Sequence, residues 1–244
     1  MWNLPPPPGF QGLHPDKPLT VYQRHLPHWR QDGATYFVTF RLADSLPQSK
    51  LDELASLKVE WERRHGRRGT ALPSRSNRTA QESRPTGPDP ALEELARQLQ
   101  ERIERWLDQG MGSCPLKQPA LAAFLTSAMH HFDNDRYELD CYAVMPNHAH
   151  AIIRPLTAEH PLEEILGSWK KHSSRRINRE LRQTGDLWQE ESYDRIIRDE
   201  EHLWRAIQYI GSNPDKAGLA RGSCPLWIRP EWIARGWRFE TPVG

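Results

Sequence analysis

The stretch from Arg136 to Arg154 constrains the fold more than any other part of the chain. Arg136 to Val144 reads as a strand, Pro146-Asn147 as a turn, and His148-Ala-His-Ala-Ile-Ile-Arg154 as a second strand following it. On a strand, residues two apart project to the same face, so His148 and His150 point together while Ala149 turns to the other side. Two neutral imidazoles fixed in this way form half of a divalent-metal site. Paired histidines also occur as ordinary polar spots on a sheet, and the spacing by itself does not decide between the two.

The remaining elements follow from periodicity. Ala34-Thr-Tyr-Phe-Val-Thr-Phe-Arg41, rich in β-branched and aromatic residues and preceded by Asp32-Gly33, reads as a strand. From Pro47 the period changes: Leu51, Leu54, Leu57 and Trp61 recur at helical spacing, as do Leu92, Leu95, Leu99, Ile103 and Trp106. Residues 66–90 between them are dense in Arg, Ser, Gly and Pro and read as a mobile loop. Residues 47–110 are therefore expected to form an α-helical hairpin inserted into a different domain. Helices are expected over Leu121–Phe132, Pro161–Leu181 and about Asp199–Ser212, with a short strand near Asp186–Ile197. Asn213-Pro214 is expected to end the last helix, because proline disfavours helical geometry in the residue before it. Without the insertion the order is that of a split β-α-β, ferredoxin-like core. The fold class expected is α+β, an antiparallel sheet with helices on one face. Residues 1–20 read as an extended proline-rich tail, 21–220 as the domain, and 221–244 as a C-terminal tail.

Composition excludes several classes. No segment approaches the roughly 20 apolar residues needed to span a bilayer, and the N-terminus has neither the basic start nor the apolar run of a signal peptide. A cytoplasmic protein is expected. Cys114, Cys141 and Cys224 form no Cys-x-x-Cys pair, which argues against a disulfide framework or structural zinc. A net charge of +1 leaves the question of a nucleic-acid partner to local charge.

That local charge lies on the helix from Pro161 to Leu181. Leu162, Ile165, Leu166, Trp169, Ile177 and Leu181 occupy one half of its wheel, and Lys171, Arg175, Arg179 and Arg182 line the other. A solvated face is the alternative, but a stripe of one sign favours phosphate contact, to which Ser173 and Ser174 add neutral donors. On the last helix, Tyr209 and Asn213 are four apart and share a face. Tyr209 is either a packing residue or a nucleophile. A phenol with pKa near 10 needs a cation or base beside it to act at neutral pH. Spacing does not place Tyr209 beside His148.

Several segments together resemble the single-tyrosine HUH transposases of the IS200/IS605 type, and more closely the REP-associated tyrosine transposases. They are His25-Leu-Pro-His-Trp29, Ala34–Asp44, Tyr142–His150, Trp169-Lys-Lys171, Leu187-Trp-Gln189, Asp194-Arg-Ile-Ile-Arg198 and Tyr209–Leu219. The resemblance implies that His148 and His150 bind a divalent metal, Mg²⁺ or Mn²⁺, with Asn213 as third ligand. Relatives use Gln in that place, and Asn is one methylene shorter. It implies that Tyr209 is the catalytic tyrosine, with Tyr193 competing for the role, and Lys170, Lys171, Arg175, Arg179 and Arg182 of the basic helix are then the expected DNA contacts. The implied activity is endonuclease and strand-transfer chemistry on single-stranded DNA hairpins, REP-like palindromes, through a 5′-phosphotyrosine.

Two further functional classes compete with it. One is a domesticated hairpin-binding protein with little or no cleavage. The other is an unrelated metal hydrolase, against which the lack of a further cluster at ligand spacing, such as His-Glu-x-x-His, argues. The insertion reads either as a solvated pair of helices or as a contact to DNA or a second copy through Arg63, Arg64, Arg67 and Arg68, and both monomer and homodimer are open. Trp227, Trp232 and Trp237 either stack bases or anchor the C-terminal tail.

Overall fold

The computed structural model describes residues 4–23, 27–65, 90–220 and 222–240. In chain order the elements are β1 (Thr20–Gln23), β2 (Pro27–Arg30), β3 (Tyr36–Arg41), α1 (Gln48–His65), α2 (Pro90–Leu107), α3 (Pro119–His130), β4 (Tyr137–Val144) and β5 (His148–Pro155). There follow α4 (Leu162–Glu180), β6 (Tyr193–Ile196), α5 (Glu200–Lys216), β7 (Leu226–Ile228) and α6 (Pro230–Ile233). The expected loop, with Arg67 and Arg68, falls almost wholly on residues 66–89, outside the described residues.

Five strands form one antiparallel sheet in the order β6-β3-β5-β4-β7, and β1 and β2 pair separately. The four strands β3, β4, β5 and β6, with α3 and α4, reproduce the expected split β-α-β core. Strand alternation sorts the sheet's side chains into two faces. Tyr36, Val38, Phe40, Leu139, Val144, Ala149, Ala151 and Ile153 pack with α3 and α4. Trp169 fills the centre of this core, and its indole N–H donates to the Tyr137 hydroxyl at 2.8 Å, so the buried donor is satisfied. Helix α4 buries Leu162, Ile165, Leu166, Trp169, Ser173 and Ile177 at helical spacing.

Helices cover both faces of the sheet rather than one. Phe37, Cys141, Ala143 and Ile152 point away from α3 and α4 and pack against Leu203, Ala206, Ile207 and Ile210 of α5. A hydrophobic stripe on α5 and four apolar residues on the second sheet face need each other to leave water. The helix starts cleanly, with Asp199 accepting from the His202 backbone N–H at 2.7 Å and Glu200 and Glu201 in its first turn. It runs through Pro214 to Lys216 instead of ending at Asn213. Proline there deletes one bond near the helix end, while the Ala217 N–H still reaches the Asn213 carbonyl at 3.0 Å, so the last turn survives.

Segments near both ends of the chain, from Leu4 and up to Glu240, contribute to the second face. Within the segment 221–244, expected as a tail, the described residues 222–240 supply the edge strand β7, and buried Trp232 and Trp237 join the α5 core. The indole N–H of Trp232 donates to the Pro8 carbonyl at 2.9 Å and that of Trp237 to the Pro5 carbonyl at 2.8 Å. These two tryptophans thus anchor the proline-rich segment, whose Leu4 and Phe10 lie on the same core. The Arg229 guanidinium donates to the Leu139 carbonyl, Asp140, Asn134 and Asp133, tying β7 to the irregular register of β4 at Leu139/Cys141.

The strand β2 is held to β6 by charge. His28 Nδ1 lies 2.6 Å from Asp194 and Nε2 lies 3.1 Å from Glu191, while Arg30 reaches Asp194 and Glu163. Burial works against a charged His28, but the bonds to Asp194 and Glu191 outweigh it and raise its pKa to about 9. A pKa raised on folding adds stability that is complete below the unfolded value of 6.5 and is lost as pH rises through about 9. The melting temperature of the wild type is expected to fall between about pH 6.5 and 9 more steeply than that of His28→Gln. Parallel melting curves of the two proteins across that range check this.

Candidate functional site

The antiparallel register pairs Thr39 with His150 and Arg41 with His148, and places both imidazoles on the α5 face. Both histidines are fully buried, at 1% and 0% exposure. His148 Nδ1 donates to Asn147 Oδ1 at 2.8 Å, and His150 Nδ1 meets the Thr39 hydroxyl at 2.8 Å. The two Nε2 atoms face each other at 3.0 Å. Burial lowers the His148 pKa to about 3 and that of His150 well below the ordinary value, the latter reinforced by His148 and Lys216. Both rings are therefore neutral at physiological pH.

Partners set the tautomers. The Asn147 oxygen accepts only, so His148 carries its proton on Nδ1 and presents a lone pair at Nε2. Asn147 is held for this task by its own amide, which donates to the Leu107 carbonyl at 3.2 Å and the Met111 carbonyl at 3.0 Å. Thr39 can donate or accept and so serves either tautomer of His150.

Helix α5 brings Tyr209 and Asn213 over this pair. The Tyr209 ring lies edge-on to His150 with centroids 5.4 Å apart, and edge-on to Phe37 at 5.8 Å. Asn213 is fully buried, and its amide opposes the depression of both imidazole pKa values. Among the described residues its Oδ1 has no hydrogen-bond partner in regular geometry. An orphaned acceptor next to two imidazole nitrogens is an electron-rich nook, and buried acceptors of this kind call for a cation or a donor. Neutral imidazole nitrogens and an amide oxygen are donors of the kind that would suit a divalent ion. No group of three His, Cys, Asp or Glu side chains at metal-holding distance exists among the described residues, and a further oxygen donor beside the histidine pair is the Asn213 amide.

The insertion reaches the same place. Glu104 of α2 accepts the hydrogen bond of the Tyr209 hydroxyl, and its other oxygen accepts from Gln100 at 2.7 Å. Burial and the Glu104 carboxylate push the Tyr209 phenol upward, so the free phenolate is strongly disfavoured in this arrangement. Lys216 lies 4.3 Å from the centre of the Tyr209 ring. Beside Tyr209 opens a cleft of about 540 Å³ whose walls include Arg97, Arg195, Arg198 and Arg205 against Glu101, Glu104 and Asp199. Tyr193 lines this cleft too, with its phenol raised to about 12 by burial.

Four of the residues singled out in the sequence, His148, His150, Tyr209 and Asn213, are thus neighbours. The α4 residues are not among them. Lys171, Arg175, Arg179 and Arg182 are exposed on the other side of the sheet, and the Lys170 ammonium is bonded to the carbonyls of Gln189 and Glu190, both at 2.9 Å. Sequence reading missed Thr39, Asn147 and Glu104 as site residues. Strand alternation places Thr39 on one face of β3, but nothing local ties it to His150. Asn147 is legible only as a turn residue, and no local signal points Glu104 at a tyrosine more than 100 positions away.

No family model matches the sequence, and no curated protein matches it. Among solved structures the chain is similar to one described as a REP-associated tyrosine transposase bound to a REP hairpin, at 15% identity over 92% of this chain and 93% of that one, with a TM-score of 0.42.

The hydrogen bonds predict a tautomer change. In the metal-free protein His148 carries Nδ1–H and His150 carries Nε2–H, because one Nε2 must donate across the 3.0 Å gap. Adding a diamagnetic divalent ion, Mg²⁺ or Zn²⁺, is expected to move the His150 proton to Nδ1, where Thr39 accepts it. Nitrogen-15 imidazole spectra follow both rings, and neither should acquire a second proton near neutral pH. Because these pKa values are lowered on folding, the same pair is expected to cost stability as pH falls below 6.5.

Proposed function

We propose that this chain is a metal-dependent single-stranded DNA nicking and strand-transfer enzyme acting on REP-like hairpins. The observation that carries the reading is the convergence of Tyr209 and Asn213 with the neutral pair His148 and His150 on one dry sheet face. The motif resemblance assigns these same four positions their roles.

Tyr209 is the nucleophile. Its phenolic oxygen attacks a backbone phosphorus, an O–P bond forms, the bond to the 3′ oxygen breaks, and a 5′-phosphotyrosine and a 3′-hydroxyl result. Attack by a 3′-hydroxyl on the phosphotyrosine reverses the step and rejoins a strand. His148, His150 and Asn213 would hold the divalent ion, Mg²⁺ or Mn²⁺, which when bound supplies charge stabilisation to the scissile phosphate. Asn147 and Thr39 orient the imidazoles, as outer partners of metal-binding histidines do. The cleft beside Tyr209 admits the scissile strand, with Arg195 and Arg198 binding its phosphates. The exposed stripe Lys171, Arg175, Arg179 and Arg182 is assigned to more distant phosphates of the hairpin, in keeping with its place on the other side of the sheet.

A second reading, a hairpin-binding protein without turnover, is favoured by one observation: the Tyr209 hydroxyl is engaged by Glu104 and disfavours ionisation. Incubation with REP-type hairpins carrying flanking single strands and Mg²⁺ or Mn²⁺ separates the two. A denaturation-resistant protein–DNA adduct is expected, retained in Tyr193→Phe and abolished in Tyr209→Phe and by chelation. Tight, salt-sensitive binding with no adduct on any hairpin leaves only the binding reading. Arg175→Ala combined with Arg179→Ala is expected to weaken hairpin binding. The slope of log affinity against log salt should become shallower by about 0.7–0.9 for each phosphate that is no longer neutralised.

A further inference from the structure

We infer that Glu104, carried on the inserted hairpin, is the proton acceptor for Tyr209 in strand cleavage and the proton donor in rejoining. The inference rests on the strand-transfer reading above and adds a catalytic residue to it. The insertion is then a structural part of the active site.

The phenol cannot attack phosphorus and keep its proton, and a group must stand at its oxygen to receive it. Glu104 is the carboxylate hydrogen-bonded to that oxygen. Asn213 also approaches Tyr209, at its backbone carbonyl and by a side-chain bond that lowers the phenol pKa, but a neutral amide has no basic site to receive the proton. The groups facing Glu104 come from three directions. Tyr209 and Lys216 belong to α5, Tyr193 to β6, and Gln100 and Asp108 to α2 and the residues just after it. Burial, with a smaller contribution from Asp108, pushes the Glu104 carboxyl above the ordinary value, while the bonds from Tyr209 and Gln100 pull the other way. A carboxylate made more basic by its surroundings is better matched to accept a phenol proton than one in water.

The step balances without a further reactant. As the Tyr209 oxygen bonds to phosphorus, its proton passes to Glu104, and the departing 3′ oxygen takes a proton from solvent. In rejoining, the attacking 3′-hydroxyl gives its proton to solvent, the bond from phosphorus to the phenolic oxygen breaks, and Glu104 returns the proton to Tyr209. The disfavoured phenolate never has to exist free, which reconciles a raised phenol with its use as a nucleophile. Gln100 holds the second carboxylate oxygen and so fixes the first toward the tyrosine.

The test is single-turnover adduct formation with a REP-type hairpin by wild type, Glu104→Gln and Glu104→Asp. Glu104→Gln keeps the shape and an acceptor oxygen but loses the base. A fall of about 10²- to 10⁴-fold in the single-turnover adduct rate at saturating hairpin is expected, so that a change in affinity does not enter the readout. Glu104→Asp should recover part of the rate. The wild-type rate should rise with pH until Glu104 is ionised and then level, whereas the Glu104→Gln rate should keep rising with hydroxide. A Glu104→Gln adduct rate equal to or above that of wild type, while Tyr209→Phe is inert, overturns the Glu104 role and leaves the strand-transfer reading intact. A wild-type protein that forms no adduct overturns both.

Discussion

Desolvation of two imidazoles on one strand is the constraint from which the rest of the site follows. His148 and His150 are held in a water-free layer between β5 and α5, where a charged ring is costly and a neutral ring must place every nitrogen. Asn147 and Thr39 take the two Nδ1 atoms, and the two Nε2 atoms are driven together. The packing of α5 against Phe37 and Ile152 then brings Asn213 and Tyr209 over the gap. Each of these interactions depends on the register of β3 against β5. A slip of one residue would turn both rings into the opposite core, which Trp169 and its neighbours fill.

Much of this was legible in the chain because it is periodic. The two-residue spacing of the histidines and the four-residue spacing of Tyr209 and Asn213 survive as shared faces, and the leucines of residues 51–106 mark the two helices of the insertion. What was illegible is tertiary. Nothing in the α5 sequence says which side of the sheet it will cover, and periodicity is the same for either. The persistence of α5 through Pro214 depends on how near the helix end the proline falls, which a local rule overlooks. The edge strand β7 is only three residues long, too short for alternation to mark it.

The basic residues teach a related lesson. A one-sided stripe on α4 is conspicuous in a helical wheel, whereas the arginines beside Tyr209 come from α2, β6 and α5 and the loop between the last two. Charge dispersed over several elements leaves no local signature, yet it is the charge nearest the candidate nucleophile. The α4 stripe and the cleft lie on different sides of the sheet, so a DNA ligand that touched both would have to pass around its edge.

The two amide bonds of Asn147 have a consequence for how this molecule can be altered. They end on the carbonyls of Leu107 and Met111, at the point where the inserted hairpin rejoins the core. The orientation of the His148 ring is therefore set by the exit of the insertion, just as the Tyr209 hydroxyl is held by its second helix. The hairpin is not a cassette that can be lifted out to leave the candidate site intact. Excising it would free Asn147 to turn, release the His148 tautomer and uncover Tyr209 in one stroke.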